Sequence, residues 1–245
     1  MAIIAELEYS DRSRALVEAV GRRVLVLDGA MGTMIQREGL REEDFRGGRF
    51  ADTRVRLAGC NDLLCITRPD VIGGIHRAYL DAGADIIETN SFNSNSVSLA
   101  DYGLGDAVRE VALASARLAR MTVEEFEAAH PGEMRWVAGS IGPTSKSLSM
   151  SQGIDDPTAE KVDWDALVAT YTDQMEALIE GGVDALLIET IFDGLNAKAA
   201  IYAARRAMER LGRRVPLMLS VTLTESGRTL SGQTLEAFVA TVAHG

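Results

Sequence analysis

Two acidic strand ends and two small-residue turns carry the chemistry that this 245-residue chain offers. A phrase occurs twice, as Gly83-Ala-Asp-Ile-Ile-Glu-Thr89 and, with a longer apolar run, as Gly182-Val-Asp-Ala-Leu-Leu-Ile-Glu-Thr190. Glu88-Thr-Asn90 and Glu189-Thr190 therefore end equivalent segments. A carboxylate there could bind an ammonium group or act as a base. It could equally form an internal salt bridge or cap the next helix. Asp28-Gly-Ala-Met-Gly-Thr33 is rich in small residues, and its backbone N–H groups could converge on an anion such as a carboxylate. The bland alternative is a tight turn with Asp28 as a local cap. Ser140-Ile-Gly-Pro-Thr144 offers a glycine that would let a ligand approach the backbone, or an ordinary turn.

The remaining reactive types are less promising. Cys60 and Cys65 are the only cysteines, and their gap is wider than that of many zinc knuckles. His76, His130 and His244 lie in or beside helical patterns without ligand spacing, so no metal site is expected from them. Arg205-Arg206 and Arg213-Arg214 flank a helix end, where cations favour the macrodipole, and read as solvated charge.

The elements that must hold these groups alternate. Residues 24–27 read as a first strand ending at Asp28. Residues 37–66 read as a long excursion without a strand. Thr67 is a possible N-cap, with Pro69 in the first turn of a helix reaching about Asp81. Strands follow at 84–88, 135–143, 185–188 and 217–223, and helices at 107–120, 164–180, 196–211 and 234–243. An apolar run that stops at an acidic residue is the pattern of a buried parallel strand. Strand–helix alternation gives a parallel α/β sheet with right-handed crossovers. A doubly wound sheet and a (βα)8 TIM barrel both fit. The turn at Asp28 matches neither the dinucleotide-binding glycine pattern nor the phosphate loop. A barrel has eight strands and only five are found here, so a barrel truncated after about five units is expected.

Composition narrows the class. A net charge of −11 argues against a nucleic-acid surface, and 47% hydrophobic residues suffice for a sizeable core. The start, Met1-Ala-Ile-Ile-Ala-Glu-Leu-Glu8, turns acidic too soon for a signal peptide. No run approaches the ~18 apolar residues of a membrane span. Two cysteines make no disulfide framework, so a reducing cytoplasm is the default. Residues 1–20 read as a helical extension and 21–245 as one partial barrel domain.

The motifs together resemble the homocysteine-binding domain of the cobalamin-dependent methionine synthases, within the wider homocysteine S-methyltransferase family. The resemblance rests on Leu25-Val-Leu-Asp-Gly-Ala-Met-Gly-Thr-Met-Ile-Gln36, Asp44-Phe-Arg-Gly-Gly-Arg-Phe-Ala-Asp52, Asn61-Asp-Leu-Leu64, residues 83–93 and residues 139–144. Ile188-Glu-Thr-Ile-Phe-Asp193, Leu195-Asn-Ala-Lys-Ala-Ala200 and Ser226-Gly-Arg-Thr-Leu-Ser-Gly-Gln-Thr234 extend it. The 44–52 segment and the Ser-Gly-Arg-Thr run point to the cobalamin-dependent branch.

The resemblance implies a barrel, and methyl transfer to homocysteine sulfur to give methionine. It implies that Asp28 and the backbone of Gly29, Ala30 and Met31 line the substrate pocket, those amides holding the substrate carboxylate. Glu189 would pair with the substrate ammonium, with Glu88 and Asn90 at the neighbouring strand end. The family holds zinc with three cysteines on later strands, which stabilises the substrate thiolate. Neither Cys60 nor Cys65 matches one of these, so no zinc is expected on this chain. Methylcobalamin, replenished from methyltetrahydrofolate, belongs to other domains, which are the expected partners. Alternatives are an interaction module that pairs through open sheet edges, or a doubly wound enzyme using Glu88 and Glu189 as acid and base. An incomplete barrel is also expected to be unstable alone, with inner core layers uncovered.

Overall fold

A computed structural model describes residues 7–149 and 162–243. Residues 1–6 and His244 lie outside the described residues, and with them the acidic start and one of the three histidines. The first helices are α1 Asp11–Val20, α2 Met31–Arg37, α3 Glu42–Arg46, α4 Leu64–Thr67 and α5 Pro69–Asp81. Then come β1 Ile86–Glu88, α6 Ser96–Ala100, α7 Val108–Ala129, β2 Trp136–Ile141 and α8 Trp164–Glu180. The chain continues with β3 Ala185–Ile191, α9 Gly194–Leu211, β4 Leu217–Val221 and α10 Leu235–Val242.

The four strands form one parallel sheet in chain order, β1-β2-β3-β4. A doubly wound sheet reverses its strand order at a switch point and covers both faces with crossover helices. Here the order never reverses, and α7, α8 and α9 all pack on one face. That is the arrangement of a (βα)8 wall, here unclosed, and it excludes the doubly wound alternative.

Period-two alternation divides the strands between two cores. Ile87, Val137, Ile141, Leu186 and Ile188 point outward into the layer formed with α7, α8 and α9. Ile86, Trp136, Ala138, Ala185 and Leu187 point inward and meet Leu16 of α1. The helix of the N-terminal extension thus stops one end of the inner face. Glu88, Ser140 and Glu189 belong to the inward set and lie toward the opposite, C-terminal ends of their strands.

The repeated phrase also builds the N-terminal ends. Gly83 and Gly182 take φ of 100° and 97° just past α5 and α8, a left-handed turn that glycine adopts without strain. Asp85 then accepts the Val26 N–H at 2.8 Å, and Asp184 accepts that of Val137 at 2.9 Å. Both aspartates also donate their own N–H to the carbonyl of the same partner residue, at 2.8 Å. Arg23 pairs with Asp85, and Arg12 and Arg120 with Asp184. Each copy is therefore a corner that fixes one strand against its predecessor.

Several local expectations need correction. Residues 24–27 are not a full strand: only Leu27 bridges to Ile86, and Val24 is 87% exposed. Among the described residues this segment has a neighbour on one side only, so nothing extends its ladder. Thr67 is not a cap; it ends α4, its hydroxyl donates to the Leu63 carbonyl at 3.3 Å, and α5 starts after Arg68. The helix expected at 107–120 continues to Ala129, because Thr122, Val123 and Phe126 prolong its buried stripe. Arg214 is not simply solvated: it stacks over Tyr9 at 4.6 Å, and the two residues bridge in parallel.

The 37–66 excursion holds no strand. It buries Phe45, Phe50, Leu57, Leu63 and Leu64 against α5 and α7 in a second core. Glu42 gathers it by accepting the N–H groups of Leu57 and Ala58. This core carries Asn61 and Asp62 to the rim of the sheet.

Candidate functional site

A cavity of about 300 Å³ opens at the C-terminal strand ends, the face where barrels keep their chemistry. Asp28, Gly29, Ala30, Met31, Glu88, Asn90 and Glu189 all line it. The substrate-pocket residues implied by the resemblance are thus brought together, from the ends of β1 and β3, the turn after residues 24–27 and the start of α2. Asn61, Asp62, Phe92, Asn93 and Ser140 complete the wall.

Glu88 is the last residue of β1, with its backbone level with Ala138 of β2. Asp28 accepts the Glu88 N–H at 3.0 Å and donates its own N–H to the Ile86 carbonyl at 2.9 Å. Its side chain is therefore tied to the strand end, and the local-cap reading is partly right. Glu189 sits on an irregularity. Ile188 pairs with Leu219 and Ile191 with Val221, so Glu189 and Thr190 oppose one residue of β4. Such a bulge re-aims a side chain. Thr190 takes φ of 54°, a rare conformation for a β-branched residue. Among the described residues only Ala30, with φ of 47°, is a second non-glycine at positive φ. Ala30 lines this cavity and Thr190 directly follows Glu189, which lines it, and functional sites are where proteins keep such strain.

Three carboxylates, Asp28, Glu88 and Glu189, share the space beside the fully buried Asp62, and among the described residues no lysine or arginine pairs with any of them. Burial pushes Asp28 up to about 7, and the charge of Glu189 adds to this. Burial pushes Glu88 up to about 8, assisted by Glu189 and then Asp28. A site that raises carboxylates in this way lacks a cation. An entering ammonium group would supply one. At the opposite wall α2 starts at Ala30 without a side-chain cap. The first-turn N–H groups of a helix have no partner within it.

Other expectations are sharpened or revised. The Asn90 side-chain amide donates to the Asn61 carbonyl at 2.8 Å and faces the Cys65 sulfur at 3.5 Å. It ties the excursion to the strand end. Gly142 admits no ligand: a Cβ there would come within 2.6 Å of Phe92, whose carbonyl takes the Gly142 N–H at 3.0 Å. Asp62, fully buried, accepts the Asn93 N–H and the Ser94 hydroxyl, and burial pushes it up to about 6. The Asn-Asp pair was visible in the sequence only as a shared motif, since neither its burial nor its partners follow from spacing.

Metal chemistry finds no support in the donor set. Cys60 and Cys65 are buried free thiols, each pushed up to about 12, chiefly by burial. A thiol so raised is a poor source of thiolate. Among the described residues no three His, Cys, Asp or Glu side chains are grouped to hold an ion. His130 bonds the Phe126 carbonyl and stacks on its ring, and His76 is sealed within α5. The residues present do not fit the zinc of the resembled family.

The model of the family described as homocysteine S-methyltransferase matches residues 25–245. The chain belongs to the homocysteine S-methyltransferase family. Its fold is similar to crystal structures of the homocysteine methyltransferase MmuM from Escherichia coli. The metallated form is 25% identical with a TM-score of 0.69, covering 96% of this chain and 74% of that one. The oxidised form is 26% identical, also with a TM-score of 0.69, covering 96% and 73%. The apo form, 23% identical with a TM-score of 0.63, supports the fold alone. Among the described residues of this family domain, the far edge of β4 has no strand partner. No helix among them is long and apolar enough to cross a membrane.

Proposed function

We propose that the cavity binds homocysteine as the methyl acceptor, in a methyltransferase whose product is methionine. The observation that carries this reading is the group of three carboxylates without a paired cation, facing an uncapped helix start across about 300 Å³. An α-amino acid presents the complementary pair of charges. In this reading Glu189 accepts the ammonium group, because it is the carboxylate aimed by the bulge. Glu88 and Asp28 form the adjoining wall. The N–H groups of Gly29, Ala30 and Met31 hold the carboxylate, and Asn90 keeps that wall in place.

These residues bind and orient the substrate. The family's zinc would make the thiol a thiolate, but the donors present here do not fit it, and no step is routed through it. The Ser226-Gly-Arg-Thr-Leu-Ser-Gly-Gln run supports the cobalamin-dependent branch. Methylcobalamin would then be the donor, with cobalamin and methyltetrahydrofolate modules as partners. Further strands, from this or another chain, would close the barrel beside β4. Free thiols at Cys60 and Cys65 suit a reducing cytoplasm.

Isothermal titration with L-homocysteine tests this function, with 4-mercaptobutyrate as the analogue lacking the ammonium group. Saturable binding of homocysteine and at least tenfold weaker binding of the analogue are expected. Equal affinities would refute the ammonium assignment, and no binding of either would refute the substrate.

A further inference from the structure

Ser140 stands on the inner face of β2, between the strands that bear Glu88 and Glu189. Its hydroxyl donates to Oε1 of Glu189. The backbone of Ser140 is itself held on several sides. Its N–H donates to the Thr89 hydroxyl at 2.9 Å, and its carbonyl accepts the Ser91 hydroxyl at 2.8 Å. The Thr89 and Ser91 hydroxyls lie 2.6 Å apart. From α8, Gln174 donates to the Ser91 carbonyl at 2.8 Å and reaches the Ser140 carbonyl at 3.5 Å.

All four of these residues are buried, with exposures of 3% or less. Buried polar groups are costly unless satisfied, and connected networks fix geometry. The network takes over where strand pairing ends: β1 pairs with β2 through residue 138 and β2 with β3 from 138 through 141, and beyond 138 the Ser140 N–H turns to the Thr89 hydroxyl. Thr89 and Ser140 of the network both line the cavity, and the contact of the Ser140 hydroxyl with the carboxylates there is asymmetric. It reaches Glu189 and not Glu88.

We propose that Ser140 is a positioning residue that selects Glu189, rather than Glu88, as the charged acceptor of the substrate ammonium. A donated hydrogen bond favours the ionised form of its acceptor. With the hydroxyl committed to Glu189, Glu88 is the member of the pair that keeps a proton near neutral pH. Burial chiefly, then the charges of Glu189 and Asp28, raises Glu88 to about 8. The bond also holds the Glu189 carboxylate in one orientation toward the cavity. This inference rests on the homocysteine reading of the site.

The test compares S140A, S140T and the unaltered protein by isothermal titration and carboxylate infrared spectroscopy. S140A keeps the backbone bonds of the network, so native circular dichroism is expected. It should weaken homocysteine binding roughly tenfold and leave 4-mercaptobutyrate binding unchanged. S140T restores the hydroxyl and should restore affinity. A general structural defect would weaken both ligands alike and so overturn the proposal, as would undiminished homocysteine affinity in S140A. If the unaltered protein binds no homocysteine, the functional reading fails and the infrared arm still decides the positioning role. The Glu189 carboxylate band, assigned by its loss in E189Q, should shift in S140A and return in S140T. An unmoved band would overturn the proposal.

Discussion

The side chain of Asp28 accepts the backbone N–H of Glu88 at 3.0 Å, which joins the turn that opens α2 to the end of β1. One carboxylate is thereby spent on fixing the strand that carries another. Both remain in a cavity that Glu189 also enters, and burial, with the neighbouring carboxylates adding to it, raises Asp28 to about 7 and Glu88 to about 8. The arrangement favours a cationic ligand over the empty site.

Burial and crowding together give the stability a pH dependence of known sign. Glu88 has an ordinary value of 4.5 and is raised to about 8 in the folded chain. Between these values the folded state holds a proton that the unfolded state lacks. The corresponding stability is present at low pH and lost as pH rises toward 8. E88Q removes the penalty. In scanning calorimetry it should be more stable than the unaltered protein at pH 8, by on the order of 2–4 kcal/mol, and similar to it at pH 4.5. Equal stability at pH 8 would contradict the crowding.

His76 should act in the opposite direction. It is fully buried with no partner for either ring nitrogen among the described residues, and burial lowers it from 6.5 to about 4. Between those values the unfolded state holds the extra proton, so stability is lost as pH falls from 6.5 toward 4. The loss is about 3 kcal/mol. In urea unfolding, H76L should flatten this acid limb and leave the alkaline limb set by Glu88 and Asp28. An unchanged acid limb would show that His76 is not its source.

The two corner aspartates make similar backbone bonds and differ in their ion pairs. Asp184 is nearly buried and meets both Arg120 and Arg12, whereas Asp85 meets a half-exposed Arg23. Losing a buried partner leaves an uncompensated charge. D184A should therefore cost about 3–5 kcal/mol and D85A about 1–2 kcal/mol. Chemical denaturation of the two variants ranks them; a reversed order would mean that solvent, not the arginines, sets the cost.

Phe92 occupies the space that a Cβ on Gly142 would need. G142A should overpack this loop, costing about 1–3 kcal/mol, and displace Phe92 from the cavity wall. Homocysteine affinity should fall with it. A variant with lowered stability and intact affinity would remove Phe92 from the binding account.

The layout of the fold was legible because buried parallel strands leave continuous apolar runs and helices leave periodic ones. Trp164–Glu180 shows it best, since its apolar spacing marks both ends. Asp28, Glu88 and Glu189 were legible for the same reason, each ending an apolar run. What sequence could not show depends on contacts between distant segments. Residues 24–27 look like a strand, yet ladder length depends on neighbours that spacing does not reveal. Gly142 looks like a ligand's approach and is Phe92's. Ser140 has an ordinary place in a strand, and only the fold sets its hydroxyl against Glu189. The repeated phrase hid a second use, because the roles of Asp85 and Asp184 rest on the backbone of the preceding strand.

The central claim is that Glu189 receives the ammonium group of an α-amino acid. Its most direct test is calorimetric titration of L-homocysteine into the unaltered protein and into E189Q, with 4-mercaptobutyrate in parallel. Loss of a charge-assisted bond of about 1.5–3 kcal/mol should weaken homocysteine binding roughly 10- to 100-fold. The analogue's affinity should hardly change. Homocysteine affinity that survives E189Q intact would contradict the account.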